Sequence, residues 1–360
     1  MHTPSNLRAA VEAVAIPRSN LTIGSSRALK SMEANEHGLH LDLCFGFPIG
    51  HIAGELERDI AAALADAGCT QSPHITLRSE ITAHKVQPGV RTISGVKNII
   101  AVASGKGGVG KSTTAANLAI ALQRMGARVG ILDADLYGPS QPTMLGVPAS
   151  KPQQENKHFI PVRSAEGIQV MSIGFLVDTD QAVVWRGPMV SQALQQLLFQ
   201  SEWDDVDYLL VDLPPGTGDI QLTLSQKIPV TGSVVVTTPQ DIALIDARKA
   251  VDMFGKVNIP IFGVLENMSV HICSRCGHHE PIFGQDGGRA LAERLGVPLL
   301  GQLPLSLPVR EAMDSGSAAA MQAANPAIAQ IYTEAAWQVA LAVAAKGKDF
   351  SSRFPQIVVE

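Results

Sequence analysis

Three short stretches carry residues whose types and spacing can do chemistry. The first, SGKGGVGKSTTAANLA, sets Gly105, Gly110, Lys111 and Ser112 in the order G-x-x-x-x-G-K-S/T. Glycines let successive backbone N–H groups wrap an anion, and Lys111 can neutralise β- and γ-phosphate oxygens. The Ser112 hydroxyl can ligate Mg2+, while a helix opening there aims its positive end at the same anion. The candidate nucleotide contacts are therefore Gly105, Lys106, Gly107, Gly108, Val109, Gly110, Lys111, Ser112 and Thr113. The second stretch pairs VGILDADLYGPS, which bears Asp133 and Asp135, with YLLVDLPPGTGD, which bears Asp212 and runs on to Asp219. A triphosphate site needs carboxylates for Mg2+ and its waters, and one to position the attacking water. The stiff Pro-Pro-Gly turn after Asp212 suits a switch whose backbone senses the γ-phosphate. No N-K-x-D element for guanine is present, and the Asn267 amide could instead meet adenine N6 and N7, or simply form a turn.

The third stretch, HICSRCGHHEPIFG, spaces Cys273 and Cys276 as C-x-x-C, a thiolate metal site or a dithiol pair. His271, His278 and His279 could complete a site within the chain, but tetrahedral closure within nine residues is cramped. A two-fold dimer supplies four thiolates at one symmetric site, and four thiolates suit either a 4Fe–4S cluster or zinc. Cys44 and Cys69 match no motif and read as buried small residues.

The elements that must position these residues follow from the apolar pattern. From Ile99 short β-branched runs alternate with helical segments. The expected strands are Ile99–Ser104, Arg128–Asp135, Ile168–Ile173, Tyr208–Leu213, Gly232–Thr238, Ile261–Met268 and Pro298–Pro304. Helices are expected over Thr113–Met125, Val190–Leu198, Ile245–Phe254 and Gly288–Leu295. This order implies an α/β domain with a doubly wound, mostly parallel sheet, whose ligands sit at the carboxyl ends of the strands. The N-terminal part reads as a small α+β domain: a helix from Asn6 to Ala15, alternation over His37–Pro48, a helix from about Ile52 to Ala67, and alternation over His74–Val86. The domains are read as 1–86, a linker 87–98, a phosphate-loop α/β domain 99–346 and a tail 347–360.

The set GKGGVGKST, DADLYGPS, WRGPMV (Trp185–Val190), DLPPGTGD, TTPQDIALIDARKA and ENMS followed by C-x-x-C resembles the Mrp/ApbC-type iron–sulfur cluster carrier ATPases. These are P-loop NTPases of the deviant Walker A type, marked here by the second lysine, Lys106. The likeness spans roughly Gly95 to Ala340, and the N-terminal segment resembles the small domain that precedes the ATPase in bacterial members. The resemblance implies a homodimer that binds and hydrolyses ATP with Mg2+, holds a labile 4Fe–4S cluster on Cys273 and Cys276 of both subunits, and passes it to apo-proteins. It further implies that Lys106 acts across the dimer, that Lys111 and Ser112 contact phosphate and Mg2+, that Asp135 orients water, and that Asp212 holds Mg2+ through its waters. Expected partners are apo iron–sulfur proteins and cluster-assembly scaffolds.

Composition sets the outer bounds. The chain has 360 residues, 46% hydrophobic and 17% charged, which suits about two globular domains. A net charge of -5 gives no support to nucleic-acid binding, and four cysteines do not make a disulfide scaffold. The N-terminus lacks the apolar core of a secretory signal, and Gln330, Glu334 and Gln338 stripe one face of the late apolar stretch Ala327–Ala345, so no membrane span is expected and the cytoplasm is the expected compartment. The competing reading is a zinc-stapled dimeric ATPase of protein targeting or spatial organisation. The ten methionines are dispersed, and no basic amphipathic helix ends the chain, so neither of these has its expected element.

Overall fold

Runs that are apolar on both faces must be covered on both faces, and the second part of the chain solves this with one central sheet. The computed structural model describes residues 5–35, 38–84, 86–87, 89–136, 138–175, 187–273 and 275–347. Its sheet holds eight strands: β1 (Val96–Ser104), β2 (Val129–Asp133), β3 (Val162–Arg163), β4 (Gln169–Ser172), β5 (Val206–Asp212), β6 (Gly232–Thr237), β7 (Ile261–Glu266) and β8 (Leu299–Gln302). Their order across the sheet is β8-β7-β6-β1-β5-β2-β4-β3, and every neighbouring pair is parallel except β3 with β4 at one edge. Every residue of β2, β4, β5 and β6 is buried, as the composition of these runs requires.

The chain builds outward from β1 to β2, β3 and β4, returns to place β5 beside β1, then winds the other way through β6, β7 and β8. That reversal makes the carboxyl end of β1 the switch point of the sheet, where an open α/β fold binds ligands. All seven expected strands and all four expected helices are present, the helices as Lys111–Arg124, Gly187–Gln200, Asp241–Lys256 and Gly287–Leu295. Strand β1 begins at Val96, inside the segment read as a linker. Polar Lys97 and Asn98 hide this start: Lys97 pairs with Asp207, and the Asn98 amide donates to the Asp207 carbonyl. Helices Gln141–Met144, Leu307–Asp314 and Ala318–Ala324 have no counterpart in the sequence pattern. The late helix, Pro326–Ala344, buries Ile328, Tyr332, Trp337 and Val339, and leaves Gln330 exposed and Glu334 and Gln338 half-buried. No helix among the described residues is long and apolar enough to cross a membrane.

The chain divides into two compact units, Met1–Thr82 with Arg124–Ala127, and Ala83–Gln123 with Arg128–Glu360. In the first, strand Gly38–Phe45 pairs antiparallel with Leu29–Asn35 and parallel with Pro73–Ser79. Leu39, Leu41, Leu43 and Phe45 turn inward, and helix Ala53–Asp66 buries Leu56, Ile60 and Leu64 at i, i+4 and i+8. Strand Leu29–Asn35 escapes sequence reading because a bulge between Leu29 and Ser31 spaces its buried residues Leu29 and Met32 three apart. Strand Pro73–Ser79 stops seven residues short of the alternation read from the sequence. Cys44 is buried, and burial pushes its thiol up. Cys69, by contrast, is not buried: it sits half-exposed beyond the end of helix Ala53–Asp66, with its sulfur on the Gln71 carbonyl.

Candidate nucleotide and thiol sites

Strand β1 ends at Ser104 and helix Lys111–Arg124 begins seven residues on, so the six residues Gly105–Gly110 form the loop between them. Gly108 and Gly110 hold φ of 79° and 81°, a region costly to any residue with a Cβ. Gly105 is required for another reason. A Cβ there would lie 2.0 Å from the Asp246 carbonyl carbon, because helix Asp241–Lys256 abuts the loop backbone. The Ser104 hydroxyl donates to the Lys106 carbonyl at 2.9 Å and steadies the loop's first turn. A cavity of about 220 Å3 opens above it, lined by Lys106, Gly107, Gly108, Lys111, Ser112 and Asp135 among others. A larger cavity of about 570 Å3 lies at the amino end of the sheet around Ile93–Lys97, away from every phosphate-binding element.

Parallel register sets the acids. Asp212 lies beside Asp133, and Asp133 beside Ser172, so the ends of β5, β2 and β4 form one polar row. Lys111, at the first helical position, is buried with its ammonium on Asp212 and 3.2 Å from the Ser112 hydroxyl. The Gln141 amide donates to Asp212 Oδ2 and to the Ser112 carbonyl, both at 2.9 Å, and its own buried Oε1 finds no partner among the described residues. No local spacing announces Gln141: it reaches the site from a one-turn helix 29 residues beyond Ser112.

The two acids of DAD part company. Asp133 is fully buried and accepts from the backbone N–H of Asp135, Ser140 and Gln141 and from the Ser172 hydroxyl. Burial, helped by the neighbouring Asp212, pushes its carboxyl up to about 7. It is the anchor of the loop. Asp135 is half-buried and faces the phosphate cavity. Beyond Asp212 the chain crosses back over β1, with the N–H of Leu213 on Val102 and that of Gly216 on Ser104. Pro215 thereby lines the same cavity. Asn267, just past the end of β7, puts its side-chain amide 3.0 Å from the Val109 carbonyl, so it braces the loop directly. A Cβ on Gly110 would strike that amide at 2.1 Å.

The C-x-x-C pair lies on a small hairpin whose arms are His271–Ile272 and His279–Glu280. The Cys273 N–H donates to the His278 carbonyl and the Gly277 N–H returns to the Cys273 carbonyl, both at 2.9 Å. Cys273 is half-exposed and Cys276 exposed. The backbone N–H of Arg275 lowers the Cys273 thiol below its ordinary range, and the Cys276 N–H and thiol lower it further. Among the described residues no three His, Cys, Asp or Glu side chains are set to hold a metal ion. His271 and His279 lie on the two arms of the hairpin, and His278 meets the Cys273 N–H through its backbone carbonyl. Of WRGPMV, Trp185 and Arg186 lie outside the described residues, and Gly187 starts a helix.

A glycine loop at the switch point of a parallel sheet, a buried lysine after it and acids on the adjoining strand ends define a P-loop NTPase. The family model of the NUBPL iron-transfer P-loop NTPases matches residues 95–340, and the chain belongs to this family. It is 56% identical to an iron–sulfur cluster carrier protein of Pseudomonas fragi, over 76% of this chain and 96% of the relative. It is 50% identical to the iron–sulfur cluster carrier protein of Escherichia coli K12, over 90% of this chain and 87% of the relative. Among solved structures, a nucleotide-binding protein of Archaeoglobus fulgidus in complex with ADP superposes with a TM-score of 0.56 at 36% identity, covering 62% of this chain and 88% of its own.

Proposed function

We propose that this protein is an ATP-hydrolysing carrier that holds a labile 4Fe–4S cluster between two copies of itself and hands it to apo-proteins in the cytoplasm. The observation that carries the reading is the pair of accessible thiols on a hairpin that begins four residues after Asn267, the residue that braces the phosphate loop. Two thiols per chain, one of them lowered toward thiolate, supply half of a four-ligand site. A second copy supplies the rest. Apo iron–sulfur proteins and cluster-assembly scaffolds are the partners that such cargo requires.

In the nucleotide site each residue has a task. Phosphate draws Lys111 from Asp212 to the β and γ oxygens, and the N–H groups of Gly107–Thr113 wrap the anion. Mg2+, when bound with the nucleotide, fits the Ser112 hydroxyl and the released Asp212, and supplies charge neutralisation at the phosphates. Gln141 keeps Asp212 oriented as the lysine leaves, Asp135 orients the attacking water, and Lys106 acts on the partner's nucleotide.

Anaerobic reconstitution with iron and sulfide tests the cargo. A broad iron–sulfur absorbance with four irons per two chains is expected, lost in Cys273→Ala and Cys276→Ala while ATP still binds. Stoichiometric zinc and no transferable iron would replace this reading with that of a zinc-stapled ATPase.

A further inference from the structure

Gln240 occupies the position before helix Asp241–Lys256 where a side chain ordinarily caps the first turn, yet it makes no capping hydrogen bond. Its side-chain amide oxygen, Oε1, instead accepts from the buried Thr238 hydroxyl at 3.0 Å and from the Lys106 ammonium at 3.4 Å. The frame around this contact is stiff. The Lys106 carbonyl is tied to Ser104, Gly105 is pressed on the backbone of the helix that Gln240 precedes, and Thr238 fixes the orientation of the Gln240 amide. The lysine is half-buried and turned onto its own chain.

We propose that Gln240 is a positioning residue, a clasp that holds Lys106 on its own chain until nucleotide-driven closure takes the lysine to the partner's phosphates. The proposal rests on the reading that Lys106 acts across a dimer. Each closure then breaks two clasps, one in each copy. The nucleotide concentration needed to bring two chains together is thus set partly by the strength of a contact that touches neither nucleotide nor partner. A neutral amide suits the task. It bonds an ammonium without the full attraction of a carboxylate, so the lysine is both placed and releasable.

Two substitutions of opposite sense test this on the full-length protein. Gln240→Ala opens the clasp and Gln240→Glu tightens it. Site-resolved acylation of Lys106 in nucleotide-free protein, referenced to Lys249 on the same helix, should rise about 2- to 5-fold in Gln240→Ala and fall by a similar factor in Gln240→Glu. Sedimentation with a non-hydrolysed ATP analogue and Mg2+ should show half-maximal self-association at an analogue concentration about 2- to 5-fold lower in Gln240→Ala and higher in Gln240→Glu. Equal Lys106 acylation in all three proteins overturns the clasp. So does a shift of association in the same direction for both variants, the mark of a merely structural residue. Lys106→Ala separates the underlying reading: wild-type association and hydrolysis in that variant overturn the cross-dimer role itself, whatever the Gln240 variants do.

Discussion

Replacing Lys111 by methionine should cost the nucleotide-free protein stability as well as nucleotide binding, and the structure fixes the size and the pH dependence of that cost. The Lys111 side chain is 6% exposed and its partner Asp212 is 0% exposed. Removing one member of a buried ion pair strands the other, at about 3–5 kcal/mol. At roughly 2 °C per kcal/mol for a unit of this size, the melting temperature should fall by about 6–10 °C near pH 8. Asp133 lies beside Asp212 in register and is already raised toward neutrality by burial and by that neighbour. Without the lysine, a proton on Asp133 leaves one negative charge fewer beside the stranded Asp212. The deficit should therefore shrink as the pH falls toward 5. Adding Asp212→Asn removes the stranded charge and should recover most of the lost stability, with nucleotide binding still absent. Thermal melts of the three variants and wild type at pH 5 and 8, beside a nucleotide titration, check all of this. A Lys111→Met protein that melts within about 1 °C of wild type at pH 8, or one that Asp212→Asn fails to rescue, would refute the reasoning.

Three further outcomes follow from the same geometry. Gly105→Ala forces a Cβ to within 2.0 Å of the Asp246 carbonyl carbon, so the loop and the helix must part. A loss of about 1–3 kcal/mol or more in urea unfolding is expected, together with weakened nucleotide binding. Asp135→Asn should lower kcat for ATP hydrolysis by about 100-fold or more while the nucleotide Kd changes less than about 3-fold, as single-turnover and binding titrations would show. Asp133 has a folded value near 7 against about 3.9 unfolded, so the unfolded state sheds its proton first as pH rises. Its contribution to stability therefore declines from pH 4 to 7 and is level above that, a slope that unfolding curves should find reduced in Asp133→Asn.

The sequence made the phosphate loop legible because its chemistry is local: glycine, lysine and serine at fixed spacing between a strand and a helix need no tertiary knowledge. The alternation of apolar runs likewise located every strand that the sequence analysis expected. What escaped depends on register and on distance. Nothing within DAD says that Asp133 turns into the core and Asp135 to the cavity. That division comes from Asp212 and Ser172 on the flanking strands. Gln141 and Gln240 are anonymous polar residues until the fold brings one to Asp212 and the other to Lys106. The sequence leaves Asn267 between an adenine contact and a turn residue, because its amide bond to the Val109 carbonyl exists only once the fold sets the end of β7 against the loop. Leu29–Asn35 stayed hidden because one bulged residue disguises a strand's period of two.

The row of Asp212 and Asp133 has a consequence for what the site admits. At rest the buried Asp212 is held by one cation, Lys111, with the Asp133 carboxyl beside it in register. A bare nucleotide that enticed the lysine away would leave Asp212 without that counter-charge and add phosphate charges beside it. A nucleotide arriving with its divalent metal brings the replacement along. We expect the site to favour the metal complex over the free nucleotide by electroneutrality alone and before any contact with the base, a preference that nucleotide titrations with and without Mg2+ would show.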